Sequence, residues 1–147
     1  MTYILFRYLH FIAIIVLAGA LVIENLAISR TITREDARNL ARVDAVYGIS
    51  AGLVLLFGLI LWLWVGKPAE FYTDNPLFHA KLGLFVLVGL LSIYPTVFLL
   101  RNRKTEAETL PVPAVIPWLL RAELVLLLFI PVLAVLMARG IGLSSPI

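Results

Sequence analysis

Residues 3–28, YILFRYLHFIAIIVLAGALVIENLAI, form one long apolar run with few ionisable side chains. A helix needs about 20 mostly apolar residues to cross the hydrocarbon core of a bilayer. Three further runs of sufficient length occupy residues 45–65, 76–100 and 115–138. None alternates polar and apolar residues as a membrane β-strand does. The sequence therefore predicts an all-α, integral membrane four-helix bundle, with residues 1–147 forming a single transmembrane domain.

The composition supports a membrane protein. The 147 residues are 62% hydrophobic and only 14% charged, whereas a soluble domain is about half apolar and about a quarter charged. The first run is too long for the apolar region of a cleavable signal peptide. The chain has no cysteine, which excludes disulfides, thiolate metal sites and a cysteine nucleophile. It also has no nucleotide-binding loop, zinc-protease motif or nucleophile elbow.

The basic residues predict the orientation of the chain. Two connections, the first and the third, carry most of the positive charge: Arg30, Arg34, Arg38 and Arg42, then Arg101, Arg103 and Lys104. Cytoplasmic loops of membrane proteins are enriched in lysine and arginine. We therefore expect a multi-pass protein of the bacterial cytoplasmic (inner) membrane with both termini periplasmic or exterior. The net charge of +3 reflects this topology and does not indicate nucleic-acid binding.

Local signals predict where some elements begin. Residues 33–36, Thr-Arg-Glu-Asp, resemble a capping box, so a helix should start near Arg34 and run on into the second span. Asp74 and Asn75 before Pro76 are a plausible cap for the third span. Residues 105–117 contain three prolines and predict a stiff connecting loop.

The two histidines of the chain, His10 and His79, lie at similar depth on different predicted helices, near the outer surface. Two such imidazoles suit the axial positions of a haem, and neutral imidazole is also a general metal ligand. Alternatively, each is an ordinary polar residue hydrogen-bonded to a neighbouring helix. Arg7 lies one turn above His10. Lys81 points about 160° away from His79, so the two cannot both line one narrow pocket.

A second polar layer lies near the cytoplasmic ends of the spans and comprises Glu24, Asp44, Arg121 and Glu123. Ionisable residues inside a membrane are costly and often functional, so this polar network suits ion pairing, a proton path or a substrate-binding patch. The alternative is a set of interfacial charges solvated by lipid headgroups. On the second span, Asp44, Tyr47, Ala51 and Gly58 form a stripe of polar and then small residues, which allows close helix packing.

Four stretches resemble a group of bacterial four-span predicted membrane proteins over nearly the whole chain, and this resemblance implies no activity. They are YLHFIAIIVLAGALVIEN at 8–25, DAVYGISAGLVLLFGLILW at 44–62, NPLFHAKLGLFVLVGLLSIYPT at 75–96 and LLRAELVLLLFIPVLAVLMARG at 119–140.

A more distant resemblance connects the chain to the HemJ-type protoporphyrinogen oxidases. Residues 9–12, Leu-His-Phe-Ile, residues 78–82, Phe-His-Ala-Lys-Leu, and Glu123 are similar to segments of that family. The resemblance implies haem b, with His10 as the first iron ligand, His79 as the second candidate and Lys81 as a cation facing propionate or substrate. The tryptophan and arginine of the family's first span have no counterpart here, so haem binding is implied more directly than oxidase activity.

Our leading interpretation is a haem-b-binding membrane protein with a redox or electron-transfer role, with an oxidoreductase of the HemJ type as the candidate enzyme class. His10 and His79 ligate the iron, directly or with one site open, and Arg7 or Lys81 neutralises the propionates. The predicted partners are membrane lipid and, as a candidate, a quinone or a porphyrinogen. Assembly into a homo-oligomer or into a larger membrane complex is also compatible with the sequence. The alternatives are a small non-redox transporter or ion-binding bundle, and an assembly subunit of a larger membrane complex.

Overall fold

The computed structural model describes residues 2–65 and 76–139, which contain four long helices. They are α1 (Thr2–Ala27), α2 (Arg34–Ile60, continued by a π-helical turn at Leu61–Val65), α3 (Pro76–Asn102) and α4 (Val115–Ala138). Each contains a segment long and apolar enough to cross a membrane. The prediction of an all-α membrane bundle is confirmed, and α2 begins at Arg34, where the capping pattern predicts a helix start.

The helices pack mainly as two pairs. α1 packs chiefly against α2, and α3 against α4, while smaller contacts join α2 to α3 and α1 to α4. Leucines from several helices fill the centre, including Leu17, Leu21, Leu99 and Leu120, each almost fully buried. Many other large apolar side chains lie on the outside, such as Leu26 with 81% of its surface exposed. An apolar exterior of this kind is typical of a bundle whose solvent is lipid.

The capping prediction for α2 is confirmed. The Thr33 side chain accepts a hydrogen bond from the Asp36 backbone N–H at 3.1 Å, which satisfies one free donor of the first turn. The 27 residues of α2 span about 40 Å, more than the thickness of the hydrocarbon core. Its arginine-rich first turns therefore project beyond the apolar layer. α3 begins at Pro76, and the predicted cap residues Asp74 and Asn75 lie outside the described residues.

A short antiparallel ladder joins the two arginine-rich connections. β1 (Thr31–Thr33) pairs with β2 (Thr109–Pro111), so that Thr31 faces Pro111. A backbone hydrogen bond of 2.8 Å from Val112 N–H to the Arg30 carbonyl extends the ladder. We call this end of the bundle the sheet end. The ladder fastens the α1–α2 connection to the α3–α4 connection.

The sequence prediction of a stiff connecting loop over residues 105–117 was wrong in part. β2 lies within that stretch, and α4 already begins at Val115. A proline is tolerated on an edge strand, which Pro111 occupies here. The two extended connections lie side by side, and each provides hydrogen-bond partners for the backbone N–H and C=O groups of the other. Turn-forming residues in the sequence do not indicate this pairing.

Candidate functional site

A cleft opens among the helices at the end of the bundle opposite the sheet. Its volume is about 410 Å³, and all four helices contribute to its mainly apolar lining. Ligand pockets in proteins commonly enclose about 300–1,000 Å³ and combine apolar walls with a few polar groups. The polar lining residues are Tyr3, Arg7, His10 and Lys81. The cleft therefore has the size and the composition of a ligand site.

His10 is held between the cleft and α2. Its imidazole lies within hydrogen-bonding reach of the Val54 main chain, while Nδ1 is buried and has no hydrogen-bond partner. On the same side it packs against Gly58, where an added Cβ would lie 3.2 Å from His10 Cε1. The missing side chain at Gly58 thus creates the space that the ring occupies. The result is a cleft-lining imidazole whose buried Nδ1 lies on the side packed next to Gly58.

Lys81 brings a positive charge into the same cleft. It is half-buried, interacts electrostatically with His10, and its Nζ lies 5.9 Å from the centroid of the Phe78 ring. Phe78 in turn packs against Trp62 with ring centroids 5.0 Å apart. An ammonium over an aromatic face is favourable, because the ring face is electronegative. One wall of the cleft is therefore aromatic and carries a cation at its edge.

Arg7 stands at the rim. Its side chain is exposed, its Cζ lies 5.6 Å from the Phe11 ring centroid, and its Nη1 donates to the Tyr3 hydroxyl at 3.3 Å. These contacts orient the guanidinium without neutralising its charge. The cleft consequently offers two cations, one inside and one at the entrance.

His79 is placed differently. Its ring is exposed and packs edge-on against Phe78 at a centroid distance of 5.6 Å, and it does not line the cleft. Lys81, two residues further along α3, takes the position facing His10. The structure thus brings together His10, Lys81 and Arg7 but not the two histidines. Ligation of one iron by both histidines stays a prediction.

The polar network predicted near the other end is brought together only in part. Glu24, Asp44 and Glu123 are 1%, 4% and 0% exposed, and they come from α1, α2 and α4. The Tyr47 hydroxyl donates to Glu123 Oε1 at 3.0 Å. We call these four residues the carboxyl cluster. Arg121 is exposed on another side of α4 and lies outside it.

Two residues in these sites were not among the predicted site residues. Tyr47 binds Glu123 across the bundle, and Gly58 packs against His10. Both belong to the polar and small stripe that the sequence shows on α2, together with Asp44. The stripe indicated close packing, but it did not indicate which partners would fill the space.

The fold and the cleft together define a multi-pass membrane bundle with a ligand-sized site at one end. The chain belongs to the family described as predicted membrane protein (DUF2214), whose model matches residues 2–142. This match confirms a predicted membrane protein family over nearly the whole chain. No curated protein and no solved structure matches the chain.

Proposed function

We propose that the cleft binds haem b and that the protein has a redox or electron-transfer role in the membrane. The observation that carries this proposal is the half-buried His10 imidazole in the lining of a mainly apolar cleft that also holds Lys81 and Arg7. A neutral imidazole nitrogen with a free lone pair is a common iron ligand.

The other lining residues fit a flat apolar ring that carries carboxylates. Phe78 and Trp62 supply an aromatic wall, and Lys81 and Arg7 supply cations for two propionates. Among the described residues that line the cleft, His10 is the one histidine. We therefore propose that His10 would be the single histidine holding the haem, whereas the sequence interpretation also assigned His79 to the iron.

Haem, when bound, would supply one-electron chemistry, and the chain would supply its environment. His10 would hold the iron, Lys81 would fix a propionate, and the apolar walls would exclude water and so help to set the potential. The cleft lies in a helix bundle with a lipid-facing exterior, so a quinone or a porphyrinogen could reach it from the bilayer. The resemblance to HemJ-type oxidases favours the porphyrinogen.

For the location, we propose the bacterial inner membrane with the sheet end in the cytoplasm. The arginines at that end, on the first turns of α2 and after α3, support this orientation. The chain has no cysteine, so the variants Glu35→Cys and Thr2→Cys each carry one cysteine. Each can be labelled in intact cells with a membrane-impermeant maleimide. We expect labelling at position 2 only, and labelling at position 35 only would reverse the orientation.

An absorption spectrum tests the haem proposal directly. We expect the detergent-purified protein, after addition of haem, to show a sharp Soret band and, on dithionite reduction, an α band. His10→Ala should lose both bands. His79→Ala is the matched control, because it removes the other imidazole from outside the cleft, and it should keep them.

Two outcomes would contradict the proposal in different ways. A spectrum of free haem only, with no sharp band after haem addition, would exclude haem binding. Equal loss of the bands in both histidine variants, with both proteins folded by circular dichroism, would restore the paired ligation predicted from the sequence.

A further inference from the structure

The carboxyl cluster places three acidic side chains in the interior of the bundle, away from the cations of the cleft. Glu24, Asp44 and Glu123 are nearly inaccessible, and they approach one another from three helices. Taking one carboxylate out of water into a low-dielectric interior already costs several kcal/mol unless a partner compensates it. Three carboxylates buried near one another repel one another as well. The cluster therefore needs bound positive charge.

No basic side chain of the described residues supplies that charge. The ionisable groups facing the cluster are Glu24 from α1, Asp44 and Tyr47 from α2, and Glu123 from α4. α3 contributes none among its described residues. Arg121 on α4 and Arg42 on α2 are exposed and point elsewhere. The compensating charge must therefore be a proton or a small cation.

The contacts within the cluster favour a proton. The carboxyl groups of Glu24 and Asp44 are close enough to hydrogen-bond to each other. Two carboxylates have only acceptors, so such a bond exists only when one of them carries a proton. No N–H or O–H donor of the described residues reaches either oxygen of Glu24, although that side chain is 99% buried and directed at Asp44.

The cluster is less suited to binding a metal ion. No group of three or more histidine, aspartate or glutamate side chains among the described residues has metal-binding geometry. Tyr47 already occupies one oxygen of Glu123 as a hydrogen-bond donor. Glu123 is therefore already hydrogen-bonded to a hydroxyl group. The added positive charge then belongs to the Glu24–Asp44 pair.

We propose that the carboxyl cluster is a buried proton-binding site, in which Glu24 and Asp44 share one proton and Tyr47 orients Glu123 beside them. Glu24 lies three residues before the end of α1, about 5 Å along the helix axis from the sheet end. The site is thus placed to exchange protons with the solution on that side. It is independent of the haem proposal, because none of its residues lines the cleft.

Infrared difference spectroscopy of the full-length protein in lipid tests this site. We expect the native protein at neutral pH to show the C=O stretch of a protonated carboxyl group, shifted on transfer to D2O. Glu24→Gln and Asp44→Asn should each abolish that band. Glu106→Gln, which alters an exposed carboxylate near the same end, should leave it unchanged.

The native protein alone can overturn the proposal, even if the variants fail to fold. Absence of a protonated-carboxyl band at neutral pH would contradict it. So would a band that appears only when sodium and potassium are replaced by choline, because the site would then hold a metal cation. A band that survives in folded Glu24→Gln and in folded Asp44→Asn would place the proton elsewhere.

Discussion

The two polar regions of this bundle lie on the same face of one helix, yet they differ in almost every physical respect. His10, Leu17 and Glu24 follow each other at seven-residue spacing on α1. At His10 the neighbouring helices leave a cleft, and the charged groups around it are basic. At Glu24 the helices close completely, and the ionisable neighbours are acidic.

The difference comes from what the opposing helix presents. Opposite His10, α2 has Gly58, which leaves space beside the imidazole. Opposite Glu24, the same helix has Asp44 and Tyr47, which fill the space with polar atoms. An open site with basic residues can bind a large anionic ligand. A closed site with acidic residues has room only for a proton or a very small cation. One helix face thus supports two chemistries.

The largest effect should follow from removing the barrier between the two regions. Leu17 is 1% exposed and lies between His10 and Glu24. Leu17→Ala leaves a cavity, and we expect a loss of about 2 kcal/mol in the free energy of unfolding, the low end for such changes. The low end applies because a side chain that moves from the bundle interior into lipid gains or loses little transfer free energy, unlike one that moves into water. Unfolding in detergent should be compared with Leu26→Ala, which changes an 81% exposed leucine. Equal stability of the two variants would show that the regions are not separated by tight packing.

A smaller and more local effect is expected at Gly58. An added methyl group would lie 3.2 Å from His10 Cε1, so the imidazole must move. Overpacking of this kind costs about 1–3 kcal/mol, and we expect Gly58→Ala to weaken haem binding about tenfold. Gly52→Ala on the same helix is the matched control, because a Cβ there meets nothing within 4 Å. Both affinities come from a haem titration, and unchanged binding in Gly58→Ala would mean that His10 does not hold the ligand.

The sequence predicted the features that depend on one helix at a time. Hydropathy located all four helices, and the Thr33 cap followed from residue type and spacing. The two polar layers followed from depth along each span. The spacing of His79 and Lys81 also excluded that both line one narrow pocket.

Features that depend on helix rotation or on pairing between segments could not be predicted. Whether His79 or Lys81 faces His10 is decided by the rotation of α3, which is set by packing against its neighbours. The same holds for Arg121, two residues from the buried Glu123 but exposed. The β1–β2 ladder pairs residues far apart in sequence, and no turn motif announces it.

The smallest expected effect tests how the closed region is held shut. Asn25 Nδ2 donates to the Leu120 carbonyl of α4 at 3.1 Å as well as to Leu21 on its own helix. Hydrogen bonds between membrane helices contribute about 0.6 kcal/mol on average, so Asn25→Ala should lower the free energy of unfolding by about that amount. Asn102→Ala is the matched control, since Asn102 donates only within α3 among the described residues.

Both stabilities can be measured by unfolding in mixed detergent, and the protonated-carboxyl band should be recorded on the same samples. If Asn25→Ala keeps the band while losing this small stability, packing around Leu17 and Leu120 keeps the carboxyl cluster dry. If the band disappears with so small a loss, water has entered beside Glu24. The interhelical hydrogen bond would then be the closure that separates the acidic region from the solution at the sheet end.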